Sequence, residues 1–334
     1  MADVTLQINL APPDYRYAQH ILPHQLDVWY DQVDEVLFTC ETRRSAGRFG
    51  SRWEEFKERL DTLLEALSEQ YPATRTVGLD YSSDQMAEVA RFFFDRDEMP
   101  PKDFRGGPFY AYFFGLHAAQ HPHVLHLDAD MLFGGQSASW VAEALRVLQQ
   151  NPNVLSVSPH PGPPRRDTES SSPGRVTLSP EQKPFRITPR FTTRVFLMDR
   201  RRLVREGPLP LERPSVLGVL KARLLQNSPG AVPEDLIQKH MREHDLRRVQ
   251  MTGTPPGMWS LHPRYRNEEF YRTLPTLIDR VDRGNIPDAQ RGFYDIQDVL
   301  CDFSAERARD RWWRRGTRTL TTPLRRWWAA FRSD

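Results

Sequence analysis

Strand and helix patterns alternate along the first half of this chain, and an apolar run in its middle ends in two acids. The run is His123-Val-Leu-His-Leu-Asp-Ala-Asp-Met-Leu-Phe-Gly-Gly135. It reads as a buried strand, Val124 to Leu127, that delivers Asp128 and Asp130 at its C-terminal end. Side chains two apart on an extended chain share a face, so both acids can address one charge. Hard divalent cations and their bound phosphates take oxygen ligands in such an arrangement. Gly134 and Gly135 let the chain turn away at low steric cost. Asp-x-Asp alone is short and common in solvated turns. Position gives it weight, because ligands of open α/β sheets sit outside the carboxyl ends of the strands.

The order of elements supports such a sheet. Val4, Leu6, Ile8 and Leu10 alternate as a first strand, stopped by Pro12 and Pro13 before Asp14. A helix over His20 to Tyr30 and a strand over Asp34 to Thr39 follow, then a polar turn containing Cys40 and Glu41. Trp53 to Gln70 is the clearest helix, with Phe56, Leu60, Leu63, Leu64 and Leu67 on one face. Arg75 to Asp80 is a third strand, and Ser83 or Asp84 caps a helix reaching Phe94. A loop from Met99 to Gly107, an aromatic helix from Phe109 to Gln120 and the Asp128 strand come next. Alternation of this kind predicts a mostly parallel sheet with helices on its faces. Beyond it, Ser137 to Gln150 reads as a helix, Val154 to Val157 and Thr192 to Asp199 as strands. Pro233 opens a helix reaching Met241. Leu246 to Met251 is a last strand, and Gly253 to His262 a Gly/Pro loop.

Composition narrows the class. With 39% hydrophobic and 11% aromatic residues among 334, a real core is affordable and global disorder is excluded. Cys40 and Cys301 make neither a disulfide framework nor a thiolate metal cluster, which fits a reducing compartment. A strand pattern from Val4 leaves no signal peptide visible, and no run of apolar residues is long enough to span a membrane. Cytoplasmic residence, or attachment to the inner face of the membrane, is the expectation. From Arg307 to Asp334 nine arginines face only Asp310 and Asp334, a net of +7 in a chain of net +2. The remainder is therefore acidic, and a nucleic-acid binder is not expected. Residues 160–191 lack apolar periodicity and read as a flexible insertion, with a mobile lid as the functional alternative.

Four segments in this order resemble the inverting family-two glycosyltransferases of the GT-A fold, over most of residues 3–265. Leu125-His-Leu-Asp-Ala-Asp130 matches the metal-binding Asp-x-Asp. Arg105-Gly-Gly107 and its helix match the glycine-bearing segment before that strand. Val195 to Leu203 resembles the acceptor-side strand and basic turn. Pro233-Glu-Asp-Leu, Leu246-Arg-Arg-Val and Trp259-Ser-Leu-His262 resemble the Glu-Asp helix and distal histidine. The resemblance implies a Rossmann-like GT-A domain in two halves, 1–158 for the nucleotide sugar and 159–300 for the acceptor, followed by a basic Trp-rich helical tail over 301–334. It implies transfer of a sugar from a UDP- or GDP-linked donor to an acceptor hydroxyl of a glycan or lipid-linked molecule, with inversion.

Roles follow from the same resemblance. Asp128, Asp130 and His262 would hold Mn²⁺ or Mg²⁺, which neutralises the departing diphosphate. Asp235, then Glu234, would be the general base that takes the acceptor proton, although both acids also complement a helix N-terminus. Asp14, Glu41, Asp80 and Asp128 would contact base and ribose, and Arg105, Gly106 and Gly107 the phosphates, a plain turn being the alternative there. Cys40-Glu-Thr-Arg-Arg-Ser departs from the family's Asp-Asp-x-Ser, which leaves the base open.

Rival readings remain. Haloacid-dehalogenase-type phosphatases also place Asp-x-Asp after an apolar strand, but in the first strand and with threonine where Leu132 stands. A non-catalytic membrane-associated adaptor with a nucleotide-sugar fold is the other. The tail bears on it, because Leu324, Trp327, Trp328 and Phe331 fall at helical spacing beside arginines. Residues 307–331 therefore suit an anionic membrane surface or a helix packed on the domain. His121, His123 and His126 miss the metallo-hydrolase pattern, and His126 is placed to face Asp128.

Overall fold

The computed structural model describes residues 3–44, 52–165, 175–176, 185–212, 214–224 and 227–309. In chain order the strands are β1 (Val4–Leu10), β2 (Glu35–Cys40), β3 (Thr74–Gly78), β4 (His123–Asp128), β5 (Leu132–Gly134), β6 (Val154–Pro161), β7 (Arg175–Val176), β8 (Phe185–Thr188), β9 (Val195–Asp199), β10 (Arg247–Met251) and β11 (Trp259–Leu261). The helices are α1 (Tyr15–Trp29), α2 (Trp53–Gln70), α3 (Ser83–Phe94), α4 (Tyr110–Ala118), α5 (Trp140–Gln150), α6 (Arg202–Arg205), α7 (Val216–Leu224), α8 (Pro233–Glu243) and α9 (Glu268–Asp282).

Among the described residues the sheet runs β3-β2-β1-β4-β9-β6-β10-β8-β7. β3, β2, β1 and β4 are parallel, as the alternation predicts. β9 is antiparallel to both β4 and β6, so the sheet is mixed. Because β9 alone is reversed between them, β4, β6 and β10 still point the same way. Six carboxyl ends therefore open on one edge, and β9 starts there. The sheet is built from strands on both sides of residue 158, so the segments 1–158 and 159–300 share one framework.

Apolar residues cover both faces. On one face Ala18, Ile21 and Trp29 of α1, Leu60 and Leu64 of α2, Trp140 of α5 and Phe270 of α9 pack against Leu6, Ile8, Leu125 and Leu127. On the other, Phe93 of α3, Phe109 and Phe113 beside and within α4, and Ile237 and Met241 of α8 pack against Leu37, Val124 and Phe196. Each large apolar side chain so buried contributes on the order of 1.5–3 kcal/mol.

Several expectations are corrected. The chain turns earlier than the glycines: β4 ends at Asp128, and Ala129 and Asp130 form a turn in which the Met131 amide donates to the Asp128 carbonyl at 3.1 Å. It then makes β5, which pairs antiparallel with β11, a strand inside the stretch read as a Gly/Pro loop. Gly134 is required by that pairing, since a Cβ there would lie 2.0 Å from the Trp259 ring. The segment read as a structureless insertion contributes β8 and β7 to the sheet edge, where β8 pairs with β10 through alternating Arg186 and Ile187. Ser82, not Ser83 or Asp84, caps α3: its Oγ accepts from the Gln85 amide. The whole of α9 went unread in the sequence. Among the described residues no helix is long and apolar enough to cross a membrane. The Trp-rich tail beyond residue 309 lies outside the described residues.

Candidate active site

The site begins where β4 ends. Asp128 keeps 40% of its side chain exposed, whereas Asp130 is 1% exposed. The Nε of Arg266 donates to Asp130 Oδ2 at 2.7 Å, and its Nη2 makes an ion pair with the same oxygen. Asp130 Oδ1 is buried with no hydrogen-bond partner. Arg266 also lies over the Tyr17 ring, 5.4 Å from its centroid. Burial opposes the Arg266 charge, but Asp130, Tyr17 and Asp14 outweigh it and raise the guanidinium pKa. Asp14 belongs to this group. Burial raises its carboxyl above the ordinary value, opposed by hydrogen bonds from Tyr17 and the Ala11 amide.

Behind Asp128 runs a buried polar chain. His126 Nδ1 lies 2.5 Å from Gln7 Oε1, and Gln7 Nε2 donates to Asn9 Oδ1 and Thr39 Oγ1. The Gln7 amide is thereby oriented with its oxygen toward His126 Nδ1. His126 Nε2 faces Asp128 Oδ1 at 3.7 Å. Gly115 of α4 leaves room for this chain, because a Cβ there would meet Gln7 Nε2 at 2.5 Å.

Arg194, just before β9, is tied to the same place by its backbone: the Asp128 amide donates to its carbonyl at 2.7 Å. Its side chain hydrogen-bonds Tyr294 and feels Asp128 and Asp130. Across from them stands the start of α8. Glu234 is half-buried and Asp235 exposed. Burial raises the Glu234 carboxyl pKa, and Arg194, the largest opposing influence, only partly offsets it. Of the two acids read as bases, the structure brings Glu234 into the electrostatic neighbourhood of Asp128 and leaves Asp235 facing solvent.

The acids read as nucleotide contacts form two groups. Asp14 joins Asp130 and Arg266. Glu41, with 9% of its side chain exposed, accepts from the Tyr81 hydroxyl at 2.9 Å on both oxygens and lies 3.6 Å from Lys102. Arg43 covers the Tyr81 ring at 4.1 Å. Asp80 Oδ1 accepts from the Ser82 amide at 2.8 Å, and its carbonyl accepts from the Tyr110 hydroxyl. Arg105-Gly-Gly107 is a turn organised by Asp103, whose Oδ1 accepts from the Arg105 and Gly107 amides at 2.8 and 2.7 Å. Gly106 there has φ of +84°, a backbone conformation glycine adopts without strain. Arg105 itself is exposed and lies over Phe104.

For a divalent cation, the donors that fit are Asp128 and the partnerless Oδ1 of Asp130. His262 does not join them by any hydrogen bond: its Nδ1 lies 3.3 Å from Asp295 Oδ1 and its ring stacks on Tyr294. The hydrogen bond from His262 lowers the Asp295 carboxyl pKa. Among the described residues no three His, Cys, Asp or Glu side chains converge as a ready metal group. Two carboxylates with the remaining positions left to waters and phosphate oxygens is a pattern Mg²⁺ accepts.

Sequence reading missed Arg194, Arg248, Arg266, Tyr294 and Asp295. Arg266 follows His262 by four residues and carried no motif. Tyr294 and Asp295 come from a segment with no assigned element, brought in by the bridge between His262 and Asp295.

No protein-family model matches the sequence, and no curated protein matches it. Solved structures with some likeness include the galactosyltransferase LgtC in complex with donor and acceptor sugar analogs, at 10% identity and TM-score 0.33, covering 72% of this chain and 70% of that one. Another is the mannosyltransferase PcManGT from Pyrobaculum calidifontis in complex with GDP-Man and Mn²⁺, at 15% identity and TM-score 0.35, covering 85% and 65%. A third is S. aureus TarS 1-349 in complex with UDP, at 9% identity and TM-score 0.37, covering 86% and 67%. The chain spans about two thirds of the length of each.

Proposed function

We propose that this chain is a glycosyltransferase that moves a sugar from a nucleoside-diphosphate donor to an acceptor hydroxyl at the edge where β4 ends. The observation that supports this reading most is the pairing of Asp128 and the partnerless Oδ1 of Asp130 with Glu234 across from them. One pair can manage a diphosphate through a cation, and the other acid can manage a proton. The strand-end acids Asp14, Glu41 and Asp80, with Tyr81 beside Glu41, lie along the same edge on the β1 to β3 side, where the donor's nucleoside is placed. A bound Mn²⁺ or Mg²⁺ would be held by Asp128 and Asp130 and would supply Lewis-acid neutralisation of the leaving diphosphate.

Within this reading Glu234 is the base. A half-buried carboxylate with a raised pKa accepts a proton near neutral pH more readily than an exposed one. It lies within electrostatic reach of Asp128 and Arg194, and a base on the face of the sugar opposite the leaving diphosphate would give inversion. Arg194 and Tyr294 line the space between Glu234 and Asp128 and would orient the donor phosphates or the sugar. The tail over 307–331 is proposed as the contact with an anionic membrane, which suits a lipid-linked acceptor.

Binding is the first test. Thermal stabilisation by UDP or GDP with Mn²⁺ is expected, and it should be lost in Asp128→Asn. Absence of a shift with any nucleoside diphosphate would favour the adaptor reading instead.

A further inference from the structure

Arg248 is the least expected charge in the molecule. It sits in β10 between Arg247 and Val249, and is 7% exposed. Its neighbours Val249 and Met251 pack into the core cluster under α1, α5 and α9. Alternation along the strand sends Arg248 and Gln250 to the opposite face, the one covered by α8. There Arg248 Nε has no hydrogen-bond partner, and among the described residues no carboxylate forms an ion pair with it. In register with it on β6 is Ser156, fully buried, whose Oγ is also without a partner. Tyr112, on the same face, has a third buried partnerless hydroxyl and lies within electrostatic range of Asp128 and Glu234.

The charges around this place do not balance. Arg248 feels Glu234, Tyr294 and Arg186, and Glu234 feels both Arg194 and Arg248. Arg186 is exposed on β8, paired in register with Gln250. Two guanidiniums, Arg194 and Arg248, thus act on Glu234, and a third, Arg186, acts on Arg248. A buried guanidinium without a counter-ion is costly. Burial indeed lowers the Arg248 pKa to about 10. Arginine's planar fork of donors matches the oxygens of phosphate and carboxylate.

We propose that Arg248, with Arg186 beside it, seats an oxyanion carried by the acceptor, a phosphate or a carboxylate. The proposal rests on the glycosyltransferase reading and names the acceptor class: an anionic molecule, held so that its hydroxyl lies by Glu234. Position separates this anion from the donor's own diphosphate. β10 and β8 stand on the far side of β9 and β6 from β4, while the acids read as nucleoside contacts stand on β1 to β3.

Titration calorimetry with inorganic phosphate as the probe tests it, on the full chain with UDP or GDP and Mn²⁺ already present. Saturable phosphate binding is expected, weakened about tenfold or more in Arg248→Gln and substantially retained in Arg248→Lys, as loss of charge-assisted hydrogen bonds implies. Should Arg248→Gln fail to fold, exposed Arg186→Gln gives the same reading, with weaker phosphate binding and unchanged nucleotide binding. Phosphate that competes with the nucleotide would assign these arginines to the donor diphosphate and overturn the proposal. So would the absence of phosphate binding in wild-type protein that still binds nucleotide, an outcome that leaves the glycosyltransferase reading intact. Phosphate binding without any nucleotide binding would instead sink that reading and keep the anion seat.

Discussion

Arg266 grips one oxygen of Asp130, through Nε at 2.7 Å, and leaves the other buried without a partner. The second acid of the Asp-x-Asp pair is thus already half neutralised by the chain itself. Of the Asp130 oxygens, one is committed to Arg266 and the other would be open to a divalent cation held with Asp128.

This pairing predicts opposite effects on stability and on cation binding. In Arg266→Gln a buried carboxylate loses its counter-charge, a change that costs about 3–5 kcal/mol for a fully buried pair. Arg266 is 43% exposed, so solvent reduces that cost. The melting temperature should fall in EDTA and recover substantially with Mn²⁺, more so than for wild type. Equal losses with and without Mn²⁺ would show that Asp130 takes no part in holding a cation.

Glu234 predicts an acid limb. A general base works only when deprotonated, and burial raises this carboxyl above 4.5. Activity should therefore fall as pH drops through the raised value, earlier than for an ordinary carboxylate. Glu234→Gln should lose most of the transfer while still binding nucleotide. Steady-state rates across pH check both points. An unchanged acid limb in Glu234→Gln, with a larger loss in Asp235→Asn, would move the base one residue along α8.

The polar chain behind Asp128 predicts a structural cost. Gln7→Leu leaves His126 Nδ1, Asn9 and Thr39 short of partners in the core, and each such buried loss costs about 1–3 kcal/mol. Gly115→Ala presses a methyl on the same amide, a form of overpacking that costs about 1–3 kcal/mol. Urea denaturation should show both variants destabilised. The double variant should be less than additive, since both disturb Gln7.

Much of the fold was legible because its signals are local. Alternation in Val4, Leu6, Ile8 and Leu10, and the i, i+4 helical face of Phe56, Leu60 and Leu64, need no knowledge of neighbours. The reversal of β9 was not legible: Val195 to Asp199 is apolar whichever way it runs, and direction depends on the segment before it. β5 and β11 are too short to show a period, and they form through pairing with each other and, for β11, with β6. The site divides the same way. Asp128 and Asp130 announce themselves by position, because the apolar run before them is contiguous. Arg266, Arg194 and Tyr294 reach the site from segments at least 64 residues away, through packing that no local pattern encodes. Glu234 and Asp235 were legible as a pair, but which of them turns inward is set by how Leu236, Ile237 and Met241 seat α8 in the apolar cluster that also holds Phe196 and Met198.

Donor turnover tests the central claim most directly. Release of UDP or GDP from a panel of nucleotide sugars, with Mn²⁺ present and then chelated, should be measured for wild type, Asp128→Asn and Asp130→Asn. Turnover of at least one donor by wild type, lost in both variants while their folds persist, is the predicted result. Wild-type turnover that survives in both variants, or no turnover and no binding of any nucleotide sugar, would contradict it.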